Sequence, residues 1–186
     1  MGGEVVEQWL NVQTLIWLFP IAFVLHDLEE IIMVERWMDK NRHVIYDKLP
    51  KKIADKVIKQ LSMSTAQFSV AVFVIFIFVS SSTYMASQYI NDGPLGNIYF
   101  FTIILLIFFI HVFTHIGQSI ILRSITPGVI TSIVIIFPYS IIMFNSLFKN
   151  QMITWNTIYV SLPFIIGCFR IVCCFCKSPT AGFYTQ

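Results

Sequence analysis

Charge is scarce in this chain, and its scarcity argues against a soluble domain. Lysine, arginine, aspartate and glutamate make up only 12% of the 186 residues, about half of the roughly 25% usual in a soluble domain. Period-two alternation of apolar and polar residues is also missing, which argues against a transmembrane β-barrel. Histidine is sparse: there are four in all, and His43 falls in a polar stretch. That is too few for a histidine-rich di-iron oxygenase, and a ferritin-like centre would need two Glu-x-x-His units plus two further glutamates. Cysteine is confined to Cys168, Cys173, Cys174 and Cys176. On a helix Cys173 and Cys174 project about 100° apart, so they do not form a zinc knuckle and read as buried thiols or a palmitoylation patch. The first seven residues, Met1 to Glu7, are acidic where a secretory signal is basic, and no small-residue cleavage site follows the first apolar run, so no removable signal is expected. Val6 stands where a myristoylation motif wants Ser or Thr.

What the chain does have is hydrophobic length. Apolar residues make up 56% of it, with 18 phenylalanines. Five runs, near residues 9–34, 63–90, 97–122, 125–148 and 153–176, reach the roughly 20 residues that a helix needs to cross a bilayer. Continuous apolar runs of this kind fit helices. The fold expected is therefore all-α, a single polytopic transmembrane bundle of about five spans. Eight of the twelve basic residues lie between the first and second runs, from Arg36 to Lys59. The positive-inside rule makes that 35–62 segment cytoplasmic, the N-terminus outside and the C-terminus cytoplasmic. Arg123 and Lys177 agree, Asn91 to Gly96 carries no basic residue, and Lys149 dissents. Within the segment, Pro50 to Leu61 reads as a basic amphipathic helix with Ile53, Val57 and Leu61 as its apolar stripe, suited to an anionic membrane surface.

One string contradicts its surroundings. His26-Asp27-Leu28-Glu29-Glu30 interrupts an apolar stretch that resumes at Ile31. Ionisable groups at membrane depth are costly and usually face a partner or a cavity. His26 and Glu30 are four apart and Glu29 three from His26, so they share one helix face. The third run carries His111 and His115, again four apart, with Gln118 beyond them. Under the topology above, both runs cross in the same direction. His26 lies about 16 residues into its run and the pair about 13 and 17 into theirs, which at 1.5 Å per residue puts them at one level. Ser62, Ser64, Thr65, Gln67 and Ser69 begin the second run on that side, and Thr126-Pro127-Gly128 with Thr131 and Ser132 begin the fourth. A helix start there would aim free N–H groups at an anion.

Three imidazoles and one or two carboxylates converging in a low-dielectric bundle have the chemistry of a metal site. His26, His111, His115 and Glu30 would be the ligands of zinc or another divalent transition metal. Glu29 and Glu30 would be the catalytic carboxylates, as base or as orienting partner. A plainer reading makes Asp27, Glu29 and Glu30 an interfacial acidic collar at the end of a span near Leu25, which leaves the matched depth of the histidine pair without a reason.

The His26-x-x-Glu29-Glu30 string in a first span, followed by a histidine pair in a later one, resembles the HXXEE family of small bacterial integral membrane proteins, over roughly residues 9 to 165. The resemblance implies that His26, Glu29 and Glu30 are signature positions and that the chain sits in a bacterial cell membrane. It supplies no substrate. The function expected is a membrane-embedded, metal-dependent enzyme, a hydrolase of a lipid-like or membrane-delivered substrate near the cytoplasmic leaflet. Two alternatives are a metal-independent His/Glu acid–base isomerase of an apolar substrate and a proton or divalent-cation transporter or sensor. The transporter reading is weakened by the dry stretch from Thr14 to Leu25. The partners expected are the lipid bilayer and a small apolar substrate, without nucleic acid.

Overall fold

The computed structural model describes residues 11–61 and 64–175. Every regular element among them is helical: α1 (Val12–Lys48), α2 (Lys51–Leu61), α3 (Thr65–Ile90), α4 (Ile98–Leu122), α5 (Val129–Lys149) and α6 (Trp155–Phe175). Three of them, α3, α4 and α5, are long and apolar enough to cross a membrane. Their lipid-type side chains, among them Val70, Phe73, Ile77, Ile120 and Val134, remain exposed in the isolated chain. So large an apolar surface needs an apolar solvent, and the chain is a membrane protein.

The helix ends are set by local chemistry. Asn11 caps α1 by accepting the Thr14 N–H at 2.7 Å, and Asn97 caps α4 by accepting that of Phe100 at 3.0 Å. Ser64 and Gln67 form a reciprocal capping box at the start of α3, satisfying two N–H groups that the helix leaves unpaired. The core runs along α1, where Phe19 is fully buried. Phe19 meets Phe101 and Phe108 edge-on, with ring centroids 5.4 and 5.6 Å apart, and stacks on Tyr139 at 5.9 Å. Such edge-on and stacked aromatic pairs hold the bundle at defined rotations rather than only at a distance. Pro20, inside α1, has no N–H to give to the carbonyl four residues back. One turn away the Tyr139 hydroxyl donates to the Leu15 carbonyl at 3.0 Å.

The segment expected as a 35–62 loop is not one. Residues 35–48 continue α1 without a break, so the helix is 37 residues long and extends about 55 Å, well beyond a hydrocarbon core of about 30 Å. The reason is a second, smaller core: Trp37, Met38 and Ile45 pack with Ala54, Ile58 and Leu122. The α2 stripe is accordingly shifted from the one expected, since Ala54 and Ile58 face inward while Ile53 is exposed. Thr65 donates to Glu35 from both its backbone and its hydroxyl, and Tyr46 donates to Asp55 at 3.0 Å. These bonds tie the protruding part of α1 to its neighbours.

α5 starts later than expected, at Val129, because Pro127 and a left-handed Gly128 (φ 79°) form its entry. From Ser132 to Ile136 it widens into a π turn, in which Phe137 N–H reaches back to Ser132 O. Pro138 supplies a cause: it cannot donate an α-helical bond, and the turn before it adjusts. The cysteine side chains lie outside the described residues.

Phe19→Ala should lower the thermal unfolding midpoint of the detergent-solubilised protein sharply, since emptying a buried aromatic site costs about 3–5 kcal/mol. Ile21→Ala, at an exposed neighbour, should barely move it. Equal shifts for the two variants would refute the core described.

Candidate metal centre

His26 and Glu30 project from α1, and His111 and His115 from α4. One ligand atom from each of the four lies within 4.8 Å of all the others. His115 Nε2 stands 2.8 Å from His111 Nε2 and 2.9 Å from Glu30 Oε1, while His111 Nε2 and His26 Nε2 stand 3.8 and 4.0 Å from the same oxygen. Tetrahedral zinc with bonds of about 2.0–2.1 Å would hold its ligand atoms about 3.3 Å apart, a value these separations straddle. The imidazoles meet edge to face, with His26 centroids 5.0 and 5.6 Å from those of His115 and His111. Phe108, 5.6 Å from His26, closes the apolar side.

The protonation pattern can be read from hydroxyl groups. Thr131 Oγ1 donates its one hydrogen to Glu29 Oε2 at 2.6 Å. Its 2.9 Å contact with His26 Nδ1 therefore requires the ring to donate, which leaves Nε2 with a bare lone pair. Thr114 repeats the arrangement: its hydroxyl donates to the His111 carbonyl at 2.6 Å and sits 3.3 Å from His111 Nδ1. Two rings from different helices thus turn unprotonated Nε2 atoms toward one point. His26 Nε2 is buried and has no hydrogen-bond partner among the described residues, a costly state for a polar atom that a cation at that point would relieve.

Glu29 lies apart from this point. Its carboxylate accepts the Thr131 N–H at 2.8 Å, the Thr131 hydroxyl, and at 3.4 Å the Ile130 N–H. The free N–H groups expected at the start of the fourth span do meet an anion, and the anion is Glu29 itself. Glu29 therefore buttresses Thr131, and through it His26. Glu30 is 13% exposed and belongs to the converging four. The collar reading fails, because α1 runs on past Glu30 and turns it onto α4.

Two contributors were not singled out as site residues in the sequence. Thr131 was visible only as one polar residue of the fourth run. Gly128 was visible only as part of a turn, yet a Cβ there would stand 2.8 Å from Glu30 Cγ, Glu30 Oε1 and His115 Cε1. Only a residue without a side chain lets the α4–α5 connection pass this close. Conversely, Gln118 is exposed, and Ser64, Gln67 and Ser69 are spent on helix capping and local backbone bonds. The site is closed at His26 and His115 and open at His111, whose side chain is 43% exposed.

A helical membrane protein with this His/Glu cluster matches the family described as protein of unknown function with HXXEE motif, over residues 17–143. The chain belongs to that family, and His26, Glu29 and Glu30 spell its motif. No curated protein and no solved structure matches the chain.

Nitrogen-15 NMR of histidine-labelled protein should find His26 as the Nδ1–H tautomer. Thr131→Val, which removes the hydroxyl between Glu29 and His26, should shift that ring toward a mixture or toward Nε2–H. An Nε2–H ring in the unsubstituted protein would contradict the assignment.

Proposed function

We propose that the chain is a membrane-embedded metalloenzyme that binds one divalent transition ion, zinc foremost, through His26, Glu30, His111 and His115. The observation that carries this reading is the convergence of the Nε2 atoms of His26, His111 and His115, from two helices, on Glu30 Oε1, with hydroxyls at His26 Nδ1 and His111 Nδ1 favouring tautomers whose Nε2 can ligate. Three histidines and a carboxylate form a borderline-hard donor set that suits zinc. They also fit on charge, since a cation would offset the cost of carrying Glu30 to this depth. When bound, such an ion supplies Lewis-acid polarisation and an activated water, the chemistry of metal-dependent hydrolysis.

The chain's own residues would divide the work around it. Glu29 and Thr131 hold the His26 ring in one tautomer and one orientation, the role that outer hydrogen bonds play for ligating histidines. Glu30, whose Oε1 faces the three imidazoles, would take and return a proton at its other carboxylate oxygen. Phe108 and the buried face of α1 exclude bulk water. Substrate arrives on the His111 side, and the apolar walls favour a lipid-like molecule at the depth of the cluster. In our reading α1 and α6 join α3, α4 and α5 as spans, giving five, with the N-terminus outside and the cluster in the cytoplasmic half. Clustered Lys51, Lys52 and Lys56 on α2 support that orientation.

A second reading rests on the 2.8 Å contact between His111 and His115. That length suits a proton shared between imidazoles, and with Glu30 it would serve acid–base isomerisation of an apolar substrate without metal.

Elemental mass spectrometry separates the two. The purified protein should carry about one equivalent of zinc or a similar ion, and the His111→Ala/His115→Ala variant none. Thr131→Val should retain the ion with affinity lowered about 10–100-fold, as for lost outer-sphere partners. Metal-free protein that takes up no added Zn²⁺ would refute the metalloenzyme and leave the acid–base reading.

A further inference from the structure

Asp27 takes no part in the cluster described above. One residue on from His26, it projects about 100° further around α1, toward α3. It is 94% buried by the measure of its 6% exposure, and its Oδ2 has no hydrogen-bond partner among the described residues. Acids at this depth ordinarily pair with a cation, a backbone group or another polar side chain. Asp27 borders a groove of about 230 Å³ between α1 and α3. Phe23, Phe73 and Phe76 supply its aromatic walls, Leu28 and Ile31 its aliphatic ones, and Ser69 is the other polar residue on its lining. The Ser69 hydroxyl is committed to the Thr65 carbonyl at 2.8 Å. No basic side chain borders the groove.

We propose that this groove is a second binding site, for the ammonium head of a lipophilic amine. One carboxylate ringed by three phenylalanines is complementary to an organic cation on two counts: charge against the carboxylate, and the negative ring faces against the ammonium. A headgroup without an ammonium, such as that of phosphatidylglycerol, gains neither. The volume falls below the roughly 300 Å³ at which drug-sized pockets begin, so the groove takes the head and first methylenes while the chain runs out between the helices. Leu28 and Phe73 are 45% and 62% exposed on that side, so a ligand dissolved in the bilayer enters laterally. The groove lies on a different face of α1 from the His/Glu cluster and shares no lining residue with it.

The test uses the full chain in dodecyl maltoside micelles, which bring no ammonium of their own, with octylammonium as probe and 1-octanol as its uncharged counterpart, read by saturation-transfer NMR and competition. Octylammonium should bind at least about tenfold tighter than octanol, and Asp27→Asn should abolish that preference. Phe73→Ala, at an exposed position that leaves the core intact, should weaken octylammonium several-fold. Glu30→Gln and His115→Ala should leave it within about twofold. Equal binding of amine and alcohol, or unchanged binding in Phe73→Ala and Asp27→Asn, would overturn the proposal. So would loss of binding in Glu30→Gln, which would place the cation at the cluster instead.

Discussion

A carboxylate cannot be enclosed among apolar helices unless something there replaces its water, and most of this structure follows from meeting that condition for Glu29 and Glu30. The two adjacent residues meet it differently. Glu29 is taken up by the start of α5, where the N–H groups of Ile130 and Thr131 and the Thr131 hydroxyl are free to donate. Glu30 is taken up by imidazoles from α1 and α4. The first arrangement requires α5 to begin inside the bundle, and the second requires α1 and α4 to lie in contact at one level. Both require the α4–α5 connection to pass close over the cluster, which is why Gly128 stands at the point of closest approach.

The two arrangements share an atom. Thr131 Oγ1 touches both Glu29 and His26, so the residue that satisfies one carboxylate also fixes the ring that faces the other. The signature string is therefore not a row of equivalent ligands. Its histidine and second glutamate point at the cluster, and its first glutamate holds the histidine in place.

What was legible in the sequence obeyed local rules. The spacing of four between His26 and Glu30, and again between His111 and His115, places each pair on one face of a helix whatever surrounds it. Counting residues along the two helices was enough to expect the pairs at one level, and they do meet. What was not legible depended on partners far away in the chain. Thr131 looked like any hydroxyl near a helix start, because its meaning comes from residues more than a hundred positions earlier. Gly128 looked like punctuation, because the crowding that demands it is made by α1 and α4. The extension of α1 past residue 35 was read as loop from its charge. The apolar residues Trp37, Met38 and Ile45, at helical spacing, had no visible partner until α2 folded back with Ala54 and Ile58.

The π turn in α5 has a consequence of register. A helix of uniform pitch fixes the angle between any two of its residues, so aiming Thr131 at α1 would also dictate which residues face the core a few turns later. By taking one more residue per turn between Ser132 and Ile136, the chain uncouples the two demands. Thr131 meets the cluster, while Ile136, Met143 and Leu147 still fall on the buried side. The wide turn thus works as a rotary offset in the backbone, letting the chemistry at one end of α5 and the packing at the other be adjusted independently.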